Sequence, residues 1–111
     1  MTSKISILTL SMKAAVALSA ELFVSPTGGL PTAGGNTAGV SVSDAELGDL
    51  FPVDVLGTSI VIAGGVIAAG AAVEAAATGR AITRNTGVAV ARALDAAAAA
   101  GDRIRVVLIP N

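Results

Sequence analysis

The chain is 111 residues long, which is enough for one domain with a modest hydrophobic core. Its net charge is -1, from 7 basic and 8 acidic residues spread along the sequence, so it lacks the basic patch that would bind nucleic acid. It contains no Cys and no His, which removes disulfides, thiolate metal ligands and the commonest general base. We therefore expect neither an enzyme nor a nucleic-acid-binding protein.

The hydrophobic content comes from aliphatic residues, many of them small. Hydrophobic residues make up 53% of the chain and aromatic residues only 2%, with Phe23 and Phe51 as the two aromatic side chains. Burial free energy scales with apolar area, and Ala contributes little area. We expect a thin core that gains from contacts between subunits.

Residues 1–20 are predicted to form an N-terminal strand and arm, and residues 21–111 a single β-rich domain. The segment KISILTL, residues 4–10, alternates like a strand and is rich in β-branched residues. Residues 12–20 favour a short helix or an extended arm. This arm can pair within its own domain, or a neighbouring subunit can hold it by strand addition. The stretch also resembles a weak secretory signal, although Lys13 interrupts its apolar run.

Strand and loop patterns alternate from residue 21 to residue 63. The segments ELFV (21–24) and GVSVS (39–43) favour strands, and SPTGGLPTAGGN between them has the Gly and Pro content of a loop. The segments LFPVDVL (50–56) and TSIVIA (58–63) favour two more strands, with Gly57 as the hinge between them.

Residues 55–73 carry the main alternative hypothesis. This segment, VLGTSIVIAGGVIAAGAAV, has no charge and is long enough to cross a bilayer as a helix. A small membrane protein with a transmembrane helix at 55–73 is therefore the second candidate. Three features oppose it: the Gly64-Gly65 pair favours a turn, the flanking Asp54 and Glu74 are acidic, and no aromatic belt is present.

The C-terminal part continues the strand pattern. After weak strand and turn patterns, strands are predicted at residues 80–83, 87–94 and 103–109, with Gly79 at a turn. No amphipathic helix of ten or more residues is visible. Closely spaced strands separated by turns predict a mainly β fold, a small β-barrel or β-sandwich with one or two short helical turns and an extended N-terminal arm.

Two segments resemble each other. GVSVSDAELGDLFPVDV and GVAVARALDAAAAAGDRIRVVL both begin with a Gly-Val strand and pass through Asp-Ala and Gly-Asp to a second strand. In each segment, the first Asp is expected to cap a helical turn, the Gly to adopt a positive φ, and the second Asp to bond to turn amides. With Gly57 and Gly79, the predicted turn residues are Asp44, Gly48, Asp49, Gly57, Gly79, Asp95, Gly101 and Asp102.

Four larger apolar residues are candidates for an interface: Ile5, Ile7, Phe23 and Leu30. The alternative for Phe23, as for Phe51, is a place in the core. Asp44, Glu46 and Asp49 are clustered, but their spacing does not match a calcium-binding loop, so no metal site is expected.

The order of these motifs resembles that of a known family. GVSVSDAELGD, then VDVLGTSIVIAGG, then AATGRAIT and GVAVARALDAAAAAGDRIRVVL are similar to the small phage capsid cement, or head decoration, proteins. The resemblance covers roughly residues 14–109.

This resemblance implies a structural role and a β-tulip-like fold. It implies a virion protein that binds the outer surface of a phage capsid, where it bridges and stabilises subunits of the major capsid protein. The implied partners are the major capsid protein and further copies of the chain itself, as a trimer or other small homo-oligomer. No cofactor, nucleic-acid partner or membrane partner is implied. The implied location is the capsid surface, after synthesis in the host cytoplasm.

Overall fold

Eight β-strands form one sheet in the computed structural model, which describes residues 4–111. The strands are β1 Ser6–Lys13, β2 Phe23–Val24, β3 Gly39–Ser41, β4 Leu50–Ile62, β5 Ala72–Ala75, β6 Ala81–Thr83, β7 Ala91–Ala93 and β8 Arg103–Leu108. Their order is β2-β3-β4-β8-β7-β5-β6, and β1 pairs with β4 outside this path. Residues 1–3 of the predicted arm lie outside the described residues.

The sheet curls back on itself and nearly closes into a barrel. Ala81, in the last strand of the path, bridges in parallel to Ala63, which directly follows β4. The amide of Gly64 donates a hydrogen bond of 2.7 Å to the carbonyl of Ala81. The prediction of a mainly β fold and a small barrel is confirmed. The helical turns expected after Asp44 and Asp95 are irregular turns instead, and no helix occurs between residues 4 and 111.

The long strand β4 replaces two predicted strands. Its first half pairs with β1 and β3, and its second half pairs with β8. Gly57 lies where the halves meet, with a φ of +91°, and a Cβ there would approach the carbonyl oxygen of Ile5 to 2.4 Å. Only Gly fits this position without strain, because it has no Cβ and tolerates positive φ.

The transmembrane helix proposed for residues 55–73 is not formed. These residues make the second half of β4, a turn and the start of β5. In the described part of the chain, no helix is long and apolar enough to cross a membrane. Alternation of β-branched residues explains the strand, and the Gly64-Gly65 pair lies in the turn.

Two structural repeats make up the molecule. We call residues 6–56 repeat 1 and residues 57–108 repeat 2. In repeat 1, Ala14 donates to the carbonyl of Asp49, and Leu18 and Ala45 bond to each other in both directions. In repeat 2, the same bonds join Ala63 to Asp102, and Ile67 to Ala97.

The backbone conformations of the two repeats also correspond. The positive-φ residues Glu21, Gly28 and Gly48 match Gly70, Gly79 and Gly101, and the offset grows from 49 to 53 positions as the second copy gains residues. The two similar sequence segments described above cover only the second half of each repeat. The first halves share backbone geometry but have few identical residues.

Each repeat supplies one hydrophobic cluster. The six buried residues of the smaller cluster belong to repeat 1, and they match six residues of the larger cluster in repeat 2. The smaller cluster is Ala14, Leu18, Val24, Ala45, Phe51 and Val53; its counterparts are Ala63, Ile67, Val73, Ala97, Ile104 and Val106. Phe23 and Val40 of repeat 1 also lie in the larger cluster, so the repeats share one packed interior.

Candidate docking surface

The strand β1 carries an exposed apolar surface. Ile5, directly before the strand, and Ile7 are 74% and 75% exposed, and Leu8 and Leu10 are also exposed. Among residues 4–111, only β4 pairs with β1, so β1 is an edge strand of the described sheet. The arm therefore pairs within its own chain, yet most of its side chains stay in solvent. A cluster of exposed large apolar residues within six positions of the chain is a candidate interaction surface.

The pairing of β1 with β4 is irregular, and this irregularity changes the side of the strand on which the side chains of β1 lie. The register shifts between Ser6 and Leu8 and again between Leu8 and Thr9. Because of these bulges, Ser6 and Thr9 meet on one side, with their hydroxyl oxygens 2.9 Å apart. The strict alternation expected from the sequence is broken here.

Asp54 of β4 anchors the polar side of β1. It is only 1% exposed and accepts hydrogen bonds from Ser6 (3.0 Å), Thr9 (2.8 Å) and, within β4, Ser59 (2.9 Å). The ammonium of Lys4 forms an ion pair with the same carboxylate at 2.5 Å. The result is a buried charge whose oxygens are fully bonded.

The pKa of Asp54 reflects two opposing effects. Burial acts to raise the pKa because it penalises the charged carboxylate. The hydrogen bonds from Lys4, Thr9, Ser59 and Ser6 lower it, and together they hold the pKa of Asp54 below its ordinary value. Asp54 is therefore a carboxylate at neutral pH and holds β1 against the sheet.

An apolar groove lies beside the strand. None of the side chains that line it carries a charge. They are Leu8, Leu10, Pro26, Thr37, Ala38, Val55, Leu56, Pro110 and Asn111. The groove thus combines β1, β4, the loop after β2 and the C-terminal residues. We refer to Ile5, Ile7, Leu8 and Leu10 together with this groove as the docking surface.

The predicted turn residues lie outside the docking surface, apart from Gly57 next to it. Asp49 accepts from the amide of Glu46, and Asp102 from the amides of Ala98 and Ala99. Gly48, Gly57, Gly79 and Gly101 have positive φ.

The first Asp of each repeated segment has a different role from the predicted cap. Asp44 accepts from the amide of Ala20, and Asp95 accepts from the amide of Arg105. Both carboxylates therefore tie a turn to a strand or loop distant in sequence. The helix-capping prediction is wrong because no helix follows either residue.

The four predicted interface residues divide into two groups. Ile5, Ile7 and Leu30 are exposed, so an interface role for them stays a prediction. Phe23 is fully buried in the larger cluster and is not available as a surface anchor. Phe23 is instead a core residue, which is the alternative prediction made for it from the sequence.

Sequence reasoning missed Leu8, Leu10 and the role of Asp54. Leu8 and Leu10 fit the alternation of a half-buried strand, so their exposure could not be inferred locally. A sequence signal existed for Asp54, because it is a lone carboxylate inside an apolar strand. Within residues 4–111, no group of three or more carboxylates is placed to hold a metal ion.

The fold and this surface define a class of protein: a small all-β module with an exposed apolar edge strand. The phage cement protein family model matches residues 2–108, so the chain belongs to the phage cement protein family. It is a structural protein of the phage virion. No curated protein sequence matches the chain.

A solved structure shares the fold. The head fiber gp8.5 N base of bacteriophage phi29 superimposes with a TM-score of 0.72 at 22% sequence identity. The match covers 92% of this chain and 93% of that one.

Proposed function

We propose that the protein binds the outer surface of a phage capsid, where it bridges and stabilises subunits of the major capsid protein. The observation that carries this proposal is the docking surface. Of the twelve large apolar side chains exposed among residues 4–111, four lie together within residues 5–10, and the other eight are spread from Val16 to Val107. Family membership supports a capsid as the partner.

The proposed binding mode is apolar contact with the docking surface. Leu8 and Leu10 project beside an uncharged groove, so a partner segment can bury apolar area there without leaving a charge unpaired. The free backbone edge of β1 can add main-chain hydrogen bonds. Several copies on a symmetric shell multiply weak contacts into a large avidity. In this proposal the chain is synthesised in the host cytoplasm and acts at the capsid surface as a small homo-oligomer.

The test is co-sedimentation with capsids that lack the protein. Wild-type protein is expected to bind to saturation at a fixed number of copies per capsid subunit. The double variant Leu8→Asp/Leu10→Asp is expected to lose binding, because two carboxylates would have to be desolvated in the contact. Leu94→Asp is the matched control, since Leu94 is 38% exposed, as against 42% for Leu8, and lies outside the docking surface.

Three outcomes decide the proposal. Saturable binding that only the double variant loses supports it. Equal loss in the control variant would show that the docking surface is not the contact. Absence of wild-type binding would remove the capsid as the partner. Circular dichroism of each variant establishes that the sheet is intact.

A further inference from the structure

One of the contacts between the two repeats is made by a short segment of repeat 1. Residues 19–23, which we call the linking segment, lie across the end of β4 in repeat 2. The amide of Ile62 donates to the carbonyl of Glu21 at 2.9 Å, and the amide of Phe23 donates to the carbonyl of Gly79 at 2.7 Å. The side chains of Glu21 and Arg103 form an ion pair at 2.9 Å.

This contact occurs once in the part of the chain that the structure describes, although its parts are present there twice. The counterpart of the linking segment is residues 68–72 of repeat 2, which we call the free segment. The counterparts of Ile62 and Arg103 are Lys13 and Leu50 of repeat 1. Among the described residues, the free segment forms no backbone bond to Lys13. The linking segment of repeat 1 therefore contacts repeat 2, but within residues 4–111 the free segment of repeat 2 does not make the corresponding contact with repeat 1.

Both unused halves lie open to solvent. Leu50 is 76% exposed, and Lys13 is exposed beside it in the neighbouring strand. In the free segment Ala68, Ala69 and Gly70 are exposed. The free segment nevertheless has the backbone shape of the linking segment. Glu21 and Gly70 both have positive φ, and both amides bond to the matching strand carbonyl, of Ser41 and of Ala93.

The chemistry of the two open halves is mutually compatible. In the contact within the chain, Glu21 needs Arg103 as a partner for its charge. At the corresponding places, the open halves have Gly70 and Leu50, so joining them buries no unpaired charge. Lys13 replaces Ile62, and its long side chain can keep its ammonium in water. The carbonyl of Gly70 accepts from Arg92 at 2.8 Å and has a second lone pair for the amide of Lys13.

From this correspondence we infer that the free segment of one copy binds beside Lys13 and Leu50 of a second copy. The contact repeats between molecules the arrangement by which repeat 1 meets repeat 2. It is head-to-tail, since different surfaces of the two copies meet, and such contacts form rings where the rotation closes. This inference deepens the proposed self-association and is independent of capsid docking, because Lys13 and Leu50 lie at the opposite end of β1 from Ile5.

The experiment uses the absence of Cys from the chain. Two single-cysteine variants of the full chain, Lys13→Cys and Ala69→Cys, are purified separately, then treated with a short bismaleimide cross-linker alone and as a mixture. Thr86→Cys, at an exposed position outside both halves, is paired with each variant as the control. Cysteines held in a contact meet at an effective concentration on the order of 1 mM. At roughly 10 μM protein, the mixture should thus give about a hundredfold more covalent dimer than the control pairs.

The pattern of products decides the inference. Dimer in the mixture of Lys13→Cys with Ala69→Cys, and in neither variant alone, is the expected result. Dimer from Lys13→Cys alone would show a two-fold contact and overturn the head-to-tail inference. Absence of excess dimer, both in solution and on capsids that bind the protein, would also overturn it. Capsid binding is measured separately, so failure of docking and failure of this contact are distinguishable.

A second pair of substitutions separates the two surfaces. Leu50→Asp, introduced into the Lys13→Cys variant, should reduce the mixed dimer to the control level because it places a charge against the free segment. Ile5→Asp is the matched change, since Ile5 is equally exposed but lies at the other end of β1. It should leave cross-linking unchanged. Loss of the dimer in both variants, or in neither, would contradict the inference.

Discussion

At the residue scale, the fold of the N-terminal strand depends on one carboxylate. Asp54 is buried, and its carboxylate accepts hydrogen bonds from the side chains of Lys4, Ser6 and Thr9 in the N-terminal segment. Met12 packs against the smaller cluster, but the other apolar side chains of β1 are exposed and contribute little to holding the strand in place. The backbone ladder with β4 and this polar cluster are therefore the main attachments of the strand.

Replacing Asp54 with Asn is expected to destabilise the protein. Asn keeps the size of the side chain but removes the charge that pairs with Lys4 and turns one acceptor into a donor. The expected loss is about 1–3 kcal/mol in the free energy of unfolding, measured by urea denaturation followed by circular dichroism. Glu46→Gln is the control, since Glu46 is exposed and its side chain makes no hydrogen bond among residues 4–111. Equal stability of the two variants would contradict the role of Asp54.

The stability of the protein is expected to fall at acid pH through the same group. The pKa of Asp54 is lower in the folded protein than its ordinary value. The unfolded state therefore binds the proton more readily, and stability rises with pH over the range between the two values. The contribution is fully present above about pH 4, the ordinary range for Asp, and is lost as the pH falls through the lowered pKa.

Unfolding measurements between neutral pH and pH 2 test this dependence. Wild type should lose more stability on acidification than Asp54→Asn, because the variant lacks the titrating group. Parallel curves for the two proteins would show that other carboxylates dominate the acid sensitivity.

At the element scale, the sequence predicted most strands but not their joining. Strands were expected at residues 50–56 and 58–63 with Gly57 as a hinge, and the structure has one strand through all of them. The hinge interpretation followed from the flexibility of Gly. In the structure, position 57 requires Gly because the carbonyl of Ile5, directly before β1, occupies the space that a Cβ atom would take. That contact is 52 residues distant in sequence and is invisible to local pattern analysis.

Gly57→Ala is expected to loosen β1. The added Cβ would meet the carbonyl of Ile5, and Ala is strained at positive φ, so the expected loss is about 1–3 kcal/mol. Gly65→Ala is the matched control, because nothing lies within 4 Å of its Cβ position. Hydrogen exchange of the β1 amides, measured for both variants, should rise only in Gly57→Ala. Unchanged protection there would show that the strand tolerates a side chain at this place.

At the scale of the whole molecule, the two repeats are interdependent. Phe23 and Val40 of repeat 1 lie in the cluster built mainly by repeat 2, and β4 runs through both repeats. The larger cluster therefore needs residues of both repeats. We expect one cooperative unfolding transition for the entire chain.

Phe51→Ala tests this interdependence. It removes the largest side chain of the smaller cluster and should cost about 3–5 kcal/mol, a large share of the roughly 5–15 kcal/mol typical of a domain. Ile104→Val changes the corresponding position of repeat 2 by one methylene and should cost about 0.5–1.5 kcal/mol. Thermal unfolding by circular dichroism should show a single transition in both variants. A second transition in Phe51→Ala would show that repeat 2 folds by itself.

The local features of this protein follow from its sequence alone. Alternation of β-branched residues predicted the strands, and Gly, Pro and Asp predicted the turns, because both depend on residues a few positions apart. The order of these motifs was also sufficient to indicate the family.

Which of the similar strands are buried depends on long-range contacts in the folded chain. Strand β1 and the second half of β4 occupy equivalent places in the two repeats and have similar apolar content. The linking segment and β8 are both hydrogen-bonded to the second half of β4, whereas within residues 4–111 β1 pairs with β4 alone. Burial depends on segments that arrive from elsewhere in the chain. For this reason the exposure of Leu8 and Leu10, the burial of Asp54 and the two open halves of the repeat contact could be found only in the folded molecule.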